Sequence, residues 1–467
     1  MARLLSRVRA RPEVWILTAV SAAFHFWRLF TPNAVVFDEV HYERFTGYYL
    51  AHSYFFDVHP PVGRLLYVVL AALLHIPSAQ LTTPVAEPVL RVLPATFGTL
   101  LVPLTYLLLR QLGANRRVAT LGATMLLLEN ALLVIARLIL VDVMLIAFGM
   151  MALTAYLAAR TRVGRARWAW LAASACCAGL SLSIKWTGAS ALGMILAAWG
   201  IGVLRAVRPT RRTFAEGIVL VLVPAVIYCG AFAIHFAMLT NTGPGDVYMP
   251  MDFRATLRGS RNYSPNAHLS YWKKLAEMHH AMSYGNEALE SLTNPGASKW
   301  YTWPIMKHPI SLWGDPRLPG DKQMIILLGN PVVWWAGLIA FFGGVLSYRF
   351  QRDRWRGREF AFWFLAGGIL LNYVPFMAIK RLMYLYHYLF ALTLMISFGA
   401  YVFGVATRSI DDDGAPWRLG GMRLRTLYGG VVVLALIGFI YYLPLSYGYA
   451  MSNAAWNARF WVLHPHF

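Results

Sequence analysis

Eleven long apolar runs dominate this sequence of 467 residues and restrict what it can fold into. A helix that crosses a bilayer needs about 20 mostly apolar residues. Hydrophobic residues make up 58% of the chain and charged residues only 13%, too little polar surface for a soluble protein of this length. We therefore expect an all-α polytopic membrane protein, with about 11 transmembrane helices in a single domain over residues 1–467. The predicted spans are residues 12–30, 89–110, 118–136, 139–159, 168–184, 188–204, 214–239, 324–348, 359–379, 383–406 and 426–444.

The distribution of basic residues predicts the orientation of these spans. More than half of the 42 Lys and Arg residues fall in short loops that share one side if the N-terminus is cytoplasmic. Short basic loops stay in the cytoplasm, whereas long loops cross with little regard to charge. We therefore expect an N-in, C-out topology, with residues 31–88 and the large loop 240–323 on the outer face. The net charge of +21 is dispersed over these short loops, so it predicts contact with anionic lipid headgroups and no nucleic-acid partner.

The first outer loop, residues 31–88, concentrates ionisable groups in a chain that is otherwise poor in them. It contains the run FDEVH at 37–41 and the run DVHPPVGR at 57–64. Ionisable groups beside hydrocarbon are costly, so a cluster of them suggests chemistry. The alternative is an ordinary solvated loop in which Asp and His are turn residues. Within this loop, the apolar segment 62–76 is too short to span and predicts a helix at the interface.

Cations recur at the outer ends of the predicted spans, without evident acidic partners nearby in the sequence. A single cation at a helix end often reaches for lipid headgroups. Several of them beside an acidic pair fit a site for a lipid-linked phosphate better, because a departing phosphate needs donors where negative charge accumulates. The candidates are Arg64, Arg91, Arg137, Lys185 and Arg381.

The large outer loop, residues 240–323, has a pattern of its own. It contains the turn-forming run GPGD at 243–246 and the aromatic run KWYTWP at 299–304. The aromatic run fits either a belt at the membrane interface or a wall that packs a sugar or an acceptor backbone. The three cysteines fall within predicted spans, with no disulfide framework and no metal-ligand spacing.

Taken in chain order, these motifs resemble the protein O-mannosyltransferase family over nearly the whole chain. The resemblance implies a GT-C-type membrane glycosyltransferase with eleven spans and an active site on the outer or lumenal face. Its donor would be polyprenyl- or dolichyl-phosphate mannose. The matching runs are FDEVH (37–41), YFFDVHPPVGR (54–64), RVLPA (91–95), ARLILVD (136–142), SIKWTG (183–188), HFAMLTNTGPGD (235–246), KWYTWP (299–304) and YLYHYL (384–389).

The mechanism that the resemblance implies is an inverting substitution at the anomeric carbon by a Ser or Thr hydroxyl of a secreted or membrane protein. Asp38 would be the general base, and Glu39 and His59 would support it or position the acceptor. The five cations, Arg91, Arg137 and Lys185 with Arg64 and Arg381, would bind the donor phosphate. Further substrate-positioning residues would be Asp246, Trp300, Trp303 and His387. No metal ion or cofactor is required, and the oligomeric state stays open.

The chain departs from the family pattern in two ways. The outer loop has no room for the MIR repeats of eukaryotic members, which favours a bacterial-type member in the plasma membrane over a protein of the endoplasmic reticulum membrane. Arg64 stands where the family usually has Lys, which keeps the charge but changes the donor geometry. Two other functions stay open. One is a GT-C transferase that modifies a glycolipid, as an aminoarabinose transferase does. The other is a transporter, for which Glu129 within a span would be the main candidate residue.

Overall fold

Long apolar helices form most of this protein. The computed structural model describes residues 12–82, 87–205, 210–290, 293–315, 321–410, 418–419 and 422–460. Within these residues, eight helical segments are long and apolar enough to cross a membrane, which confirms a polytopic helical membrane protein. They are Pro88–Gln111, Asp142–Arg160, Trp186–Arg205, Arg211–Met238, Pro331–Phe350, Glu359–Ala378, Leu385–Ala406 and Arg425–Tyr447.

The α-helices are numbered here in chain order. They are α1 (Pro12–Phe26), α2 (Glu39–Leu50), α3 (Val62–Leu73), α4 (Ser78–Thr82), α5 (Val92–Gln111), α6 (Arg116–Leu127), α7 (Asn130–Ile135), α8 (Asp142–Arg160), α9 (Gly164–Leu182), α10 (Ala189–Arg205), α11 (Arg211–Met238), α12 (Met251–Arg254), α13 (Tyr271–Ala288), α14 (Pro331–Phe350), α15 (Arg352–Trp355), α16 (Glu359–Leu371), α17 (Leu389–Ala406), α18 (Leu424–Tyr447) and α19 (Asn453–Arg459).

The three remaining predicted spans are helical as well, but each falls short of a continuous apolar span among the described residues. Helix α1 has 15 described residues. The third predicted span is divided into α6 and α7. Helix α9 has 19 residues but carries Arg165 and Arg167 near its start. The count of eleven spans and the N-in, C-out orientation therefore stay predictions.

Buried polar groups stabilise the break between α6 and α7 through hydrogen bonds. Glu129 is fully buried and its carboxylate accepts the N–H of Leu132 at 2.7 Å, which caps α7. The same side chain accepts the N–H of Asn330 at 3.0 Å. The Asn330 amide in turn donates to the carbonyls of Leu128 and Ala435 at 2.8 and 2.7 Å. Glu129 therefore joins the starts of α7 and α14, and Asn330 connects this junction to the middle of α18, which is a structural role.

The first outer loop folds into three short helices, α2, α3 and α4, which pack against one another and onto the bundle. Helix α3 begins directly after Pro61 and ends at Leu73, inside the segment predicted to lie at the interface. The buried Tyr67 hydroxyl on α3 donates to the carbonyl of Leu140 at 2.8 Å. This bond fixes the loop against the segment that leads into α8.

A small antiparallel sheet, which the apolar pattern did not predict, follows the large outer loop. Strand β1 (Ile310–Gly314) pairs with β2 (Asp321–Leu327), and β2 pairs with β5 (Ala450–Ser452). The predicted span 324–348 therefore begins later, at Pro331. A short buried apolar run reads alike in a strand and in a helix, which explains the error. A second pair, β3 (Arg418–Leu419) and β4 (Met422–Arg423), lies between α17 and α18.

Two helices form the centre of the bundle and present their N-terminal ends to the candidate site. The spans that contain α8 and α17 are each 83% buried inside the protein, the highest share of the eight. Asp142 is the first residue of α8. A 3₁₀ turn, Leu385–Tyr388, leads into α17. A second turn, Trp186–Gly188, leads into α10 and places Lys185 just before it.

Candidate active site

The turn before α2 presents Asp38. Phe37 has a φ of 52°, a left-handed conformation that is costly for a residue with a side chain and is frequent at functional sites. Its ring packs edge-on against Tyr384 and Tyr386, with centroids 6.4 Å away in both cases. The strained turn is thus held by the segment that leads into α17. Asp38 follows as the residue that precedes α2, and its side chain makes no capping hydrogen bond.

The carboxyl group of Asp38 is largely enclosed and forms no ion pair or side-chain hydrogen bond with any described residue. Burial raises the pKa of Asp38, and nearby Asp142 adds to the rise. His41 and Lys185 act in the opposite direction and lower that pKa. Neighbouring acids differ, because Glu39, Asp57 and Asp142 are each paired with a cation. Of these four acids, Asp38 is therefore the one left available for a substrate.

Glu39 and Arg91 form a buried ion pair instead of the predicted catalytic acid and phosphate ligand. Glu39 is 0% exposed and Arg91 1%, and the guanidinium meets both carboxylate oxygens at 2.7 Å. Glu39 also accepts the N–H groups of Val36 and Ile139. The remaining Arg91 donors go to backbone carbonyls of residues 29, 32 and 34. With every Arg91 donor occupied, the pair holds the Asp38 turn against the start of α5.

Arg137 and Arg64 are likewise engaged by the protein itself. Arg137 donates to the carbonyls of residues 24, 27 and 28 at the end of α1, and it lies 4.1 Å from the centroid of the Tyr447 ring. Arg64 is 3% exposed, forms an ion pair with Asp57 and donates to the carbonyls of His59 and Pro60. Most donors of these two arginines are therefore occupied by the protein itself, which does not favour the expectation that they bind a phosphate; the Nε of Arg64 is buried and has no hydrogen-bond partner among the described residues.

The ammonium group of Lys185 has a hydrogen-bond donor left over beside a cavity. Its ammonium group lies 2.8 and 2.9 Å from the two carboxylate oxygens of Asp142, and it sits over the Tyr386 ring at 5.4 Å from the centroid. An ammonium group has three donors, so two bonds to Asp142 leave one for a ligand. No acidic partner of Lys185 is evident nearby in the sequence, and the fold supplies Asp142 from 43 residues away. Lys185 nonetheless remains a candidate for the donor phosphate.

The cavity beside Asp142, called the donor cavity here, has a volume of about 280 Å³. Its lining is mostly apolar, with side chains from α8, α10, α16 and the turn before α17. Its polar side chains include Asp142, Tyr386 and His387, which we call the polar end of the cavity, and the Tyr386 and His387 rings stack with centroids 4.6 Å apart. An apolar cavity with a few convergent polar groups is the usual form of a ligand site. It suits a molecule with a charged head and a hydrocarbon chain.

His59 and Arg381 approach the same polar end from the outer loops. Burial lowers the pKa of His59 well below its usual range, and the nearby charges of Lys185 and Arg381 act in the same direction. His59 is therefore neutral at physiological pH and suited to hydrogen bonding. Arg381 is partly buried and donates to the Asn286 side chain on α13. Both stay candidates for contact with the substrates.

Asp246, predicted to position a substrate, lies in a tight turn of the large outer loop. Asp246 accepts bonds from Thr242 and from the N–H of Gly243, so it closes its own turn. Gly245 is required there, because a Cβ would lie 2.4 Å from the backbone of Phe55. The bonds of the Asp246 carboxylate therefore fix this turn, and its role in positioning a substrate stays a prediction.

Trp303 and His387 stack face to face, with ring centroids 6.0 Å apart and planes 12° apart. Trp303 is fully buried and donates to Ser298, so it positions the His387 ring and does not line a cavity itself. His387 lines the donor cavity. Trp300 lies nearer the surface, in a separate cleft described below. Of the two predicted aromatic residues, only Trp300 is open to a substrate.

Sequence reasoning missed several residues of this site. Asp142 stood within a recognised run but was not proposed as a site residue. Ser190 and Asn372 line the donor cavity and share a hydrogen bond of 2.6 Å. A polar residue in the middle of an apolar span was the available signal for Asn372. Among the described residues, no group of three or more His, Cys, Asp or Glu side chains is arranged to hold a metal ion.

Two family models match the chain. The family described as dolichyl-phosphate-mannose-protein mannosyltransferase matches residues 15–240. The C-terminal four TMM region of protein-O-mannosyltransferase matches residues 271–464. Protein O-mannosyltransferase 1 of Drosophila melanogaster is 31% identical over 264 residues, which are 52% of this chain and 30% of that protein. The chain thus spans about a third of the length of the curated relatives it matches.

Two solved structures show the same fold. A chain of the S. cerevisiae protein O-mannosyltransferase Pmt1-Pmt2 complex bound to the sugar donor has a TM-score of 0.86. It is 17% identical, and the match covers 97% of this chain and 92% of that one. ArnT from Cupriavidus metallidurans bound to undecaprenyl phosphate has a TM-score of 0.53 at 13% identity, covering 93% and 74% of the two chains. These neighbours show a GT-C fold, and the two family models, which match residues 15–240 and 271–464, show that the chain belongs to the protein O-mannosyltransferase family.

Proposed function

We propose that this protein transfers mannose from a polyprenyl-phosphate-linked donor to Ser or Thr hydroxyls of proteins on the outer or lumenal face of the membrane. Both family models carry the name of this activity, and together they match most of the chain. The Drosophila relative is named for protein O-mannosylation. No feature of the described residues favours a glycolipid acceptor or transport.

The observation that carries the proposal is the unpaired carboxyl group of Asp38. Glu39, Asp57 and Asp142 are held by Arg91, Arg64 and Lys185, whereas Asp38 has no such partner among the described residues. A general base has to be free to form a hydrogen bond with the group whose proton it takes. Asp38 fulfils this condition, and it lies near enough to Lys185 and to the cavity residue Asp142 for their charges to shift its pKa.

In the reaction, the oxygen of the acceptor hydroxyl forms a bond to the anomeric carbon of mannose. The bond between that carbon and the phosphate oxygen breaks, and the pair of electrons leaves with the polyprenyl phosphate. Asp38 takes the hydroxyl proton. Because the ordinary pKa of Asp, about 4, is far below that of an alcohol, the proton moves late, as the new bond develops. A carboxylate with a raised pKa is a stronger base for this step.

The donor cavity supplies the second requirement, a place for the leaving phosphate and its chain. Lys185 brings a positive charge to the polar end of the cavity, where the phosphate gains negative charge. Asp142 keeps Lys185 in place. The apolar walls contributed by α8, α10 and α16 suit a hydrocarbon chain that enters from the bilayer. No metal ion or cofactor takes part in this scheme.

The acceptors in this proposal are secreted or membrane proteins, and the lipid carrier is a bacterial polyprenol or dolichol. We place the protein in a bacterial plasma membrane, with the endoplasmic reticulum membrane as the setting in a eukaryotic cell. A multi-pass membrane location is shown by the apolar helices, but which membrane it is belongs to the proposal. The oligomeric state stays open.

The test is a transfer assay with the purified protein and with Asp38→Asn. Polyprenyl-phosphate mannose and a Ser/Thr-rich peptide are supplied, and mannosyl-peptide is measured by mass spectrometry. We expect product with the native protein and a loss of at least about 100-fold in turnover for the variant, the scale of a general base. Donor binding should change little. The matched control is Asp353→Asn, whose side chain is 96% exposed. Native turnover in Asp38→Asn would remove Asp38 from the mechanism, and absence of any product would remove the function.

A further inference from the structure

A second, larger cavity opens beside the donor cavity. It has a volume of about 630 Å³, within the range of roughly 300–1,000 Å³ that ligand sites occupy. Two segments form it, residues 297–302 with 307–308 of the large outer loop and residues 377–383 before α17. The N–H of Ser298 donates to the carbonyl of Met383 at 2.8 Å, which ties these segments together. We call this cavity the acceptor cleft.

The charge of the acceptor cleft is strongly unbalanced. Lys299, Lys307, Lys380 and Arg381 line it, against the single carboxylate of Glu290. The three lysines are exposed, and none of them forms an ion pair with a described acid. These cations share one concave surface and are not neutralised by acids among the described residues. Such a surface attracts a negatively charged partner.

The acceptor cleft lies next to the reacting groups. Ile379 lines both this cleft and the donor cavity, so the two share a wall. Tyr384 follows directly after the cleft residue Met383, and its ring packs against Phe37, the neighbour of Asp38. An acceptor hydroxyl at Asp38 would therefore leave the rest of its chain close to the mouth of the cleft.

The shape and the remaining side chains fit an extended polypeptide. Trp300 lines the cleft and Tyr301 is 56% exposed at its edge, which offers aromatic surface to a peptide backbone. An extended chain rises about 3.3 Å per residue, so a side chain two or three residues from the reacting hydroxyl lies roughly 7–10 Å from it. Acidic side chains at that separation would reach the lysines.

We propose that the acceptor cleft selects acceptor segments that carry Asp or Glu within a few residues of the Ser or Thr to be modified. This inference rests on the proposed function, because it names the acceptor class of the same reaction. Each exposed ion pair changes an equilibrium by about 1.4- to 5-fold. Two such pairs give a preference of roughly 2- to 25-fold for an acidic over a neutral acceptor.

The experiment compares two peptides that differ only in their flanking residues, Asp and Glu in one, Asn and Gln in the other. With the native protein we expect kcat/KM to be roughly 2- to 25-fold higher for the acidic peptide, and this ratio to shrink at high salt. In Lys299→Gln/Lys307→Gln/Lys380→Gln the ratio should fall close to one. The matched control is Lys273→Gln on α13, outside the cleft and paired with Glu277, which should keep the native ratio.

A second measurement separates this inference from the proposed function. Binding of fluorescently labelled acidic and neutral peptides is measured without donor, by anisotropy, for the same variants. If no mannosyl-peptide forms, the proposed function has failed. The ratio of acidic to neutral peptide binding then still shows whether the acceptor cleft prefers acidic segments. Equal use and equal binding of both peptides by the native protein overturn the proposal. A triple variant that keeps the native preference for the acidic peptide also overturns the proposal. So does a triple variant that loses only binding to anionic lipid vesicles, because the cleft then binds a lipid headgroup and not a peptide.

Discussion

The buried pair between Glu39 and Arg91 gives the sharpest test of whether a residue beside Asp38 acts in catalysis or in folding. Glu39→Gln keeps the shape of the side chain and one acceptor oxygen but removes the charge. It leaves the Arg91 guanidinium, 1% exposed, without a counter-charge. Breaking a buried ion pair by removing one partner costs about 3–5 kcal/mol. The two hydrogen bonds at 2.7 Å and the two backbone N–H groups that Glu39 accepts place this pair well within that range.

The assay is the rate of irreversible thermal inactivation, because large membrane proteins seldom unfold reversibly. At a fixed temperature, 3 kcal/mol taken from the unfolding barrier speeds inactivation by about 150-fold, since about 1.4 kcal/mol is tenfold. We therefore expect the half-life of Glu39→Gln in detergent to fall by at least about 100-fold. Glu277→Gln, which breaks the exposed pair with Lys273, should change it by only about twofold.

Arg91→Lys adds an independent check of the same reasoning. Lysine keeps the positive charge but has three donors against the five that Arg91 uses. At least two backbone carbonyls then lose their partner, so this variant should also inactivate faster than the native protein. A native half-life in both variants, combined with a loss of donor affinity, would refute the structural role. It would return both residues to the catalytic site.

Three further predictions concern the site and the topology. Burial raises the pKa of Asp38 above the usual range of Asp, and a general base must be ionised to act. Turnover should therefore fall as the pH drops through that raised pKa, and Asp38→Asn should remove this limb of the pH–rate profile. Lys185→Ala should raise the donor KM by roughly 10- to 150-fold, which corresponds to about 1.5–3 kcal/mol for one charged hydrogen bond. The double variant Lys185→Ala/Asp142→Ala should recover part of this loss, because the single variant leaves the Asp142 charge facing the phosphate. An equal loss in both variants would contradict the pairing. Cysteines introduced at Ser53 and Asn266, with the native three removed, should react with an impermeant thiol reagent from the same side of the membrane, and labelling from opposite sides would exclude one common outer face.

Much of the fold could be predicted because apolar runs report spans directly. Segments such as Arg211–Met238 and Leu385–Ala406 have no competing interpretation. The strand Asp321–Leu327 was missed because its apolar residues are as compatible with a helix as with a sheet. The interruption at Glu129 was missed because a single acid in a span does not say whether it caps a helix or faces a pathway.

The candidate site shows a similar division. Asp38 stood out because acids are rare in this chain, and the unpaired carboxyl group of the structure agrees with its proposed role. The partners of the cations were not predictable, since Glu39 and Arg91 are 52 residues apart and Asp142 and Lys185 are 43 apart. Pairs that distant are set by how the helices pack. Composition alone therefore overestimates how many cations are free for a phosphate.

The junction at Glu129 also bears on how the chain enters the membrane. The translocon releases segments in the order of synthesis, so residues 118–136 enter the bilayer long before Asn330 exists. During that interval Glu129 lacks the N–H of Asn330, and an acid at the centre of a span costs about 2.5–3.5 kcal/mol on insertion scales. Until α14 is made, the carboxylate keeps only the N–H of Leu132, so integration of residues 118–136 gains stability once the start of α14 supplies the second donor.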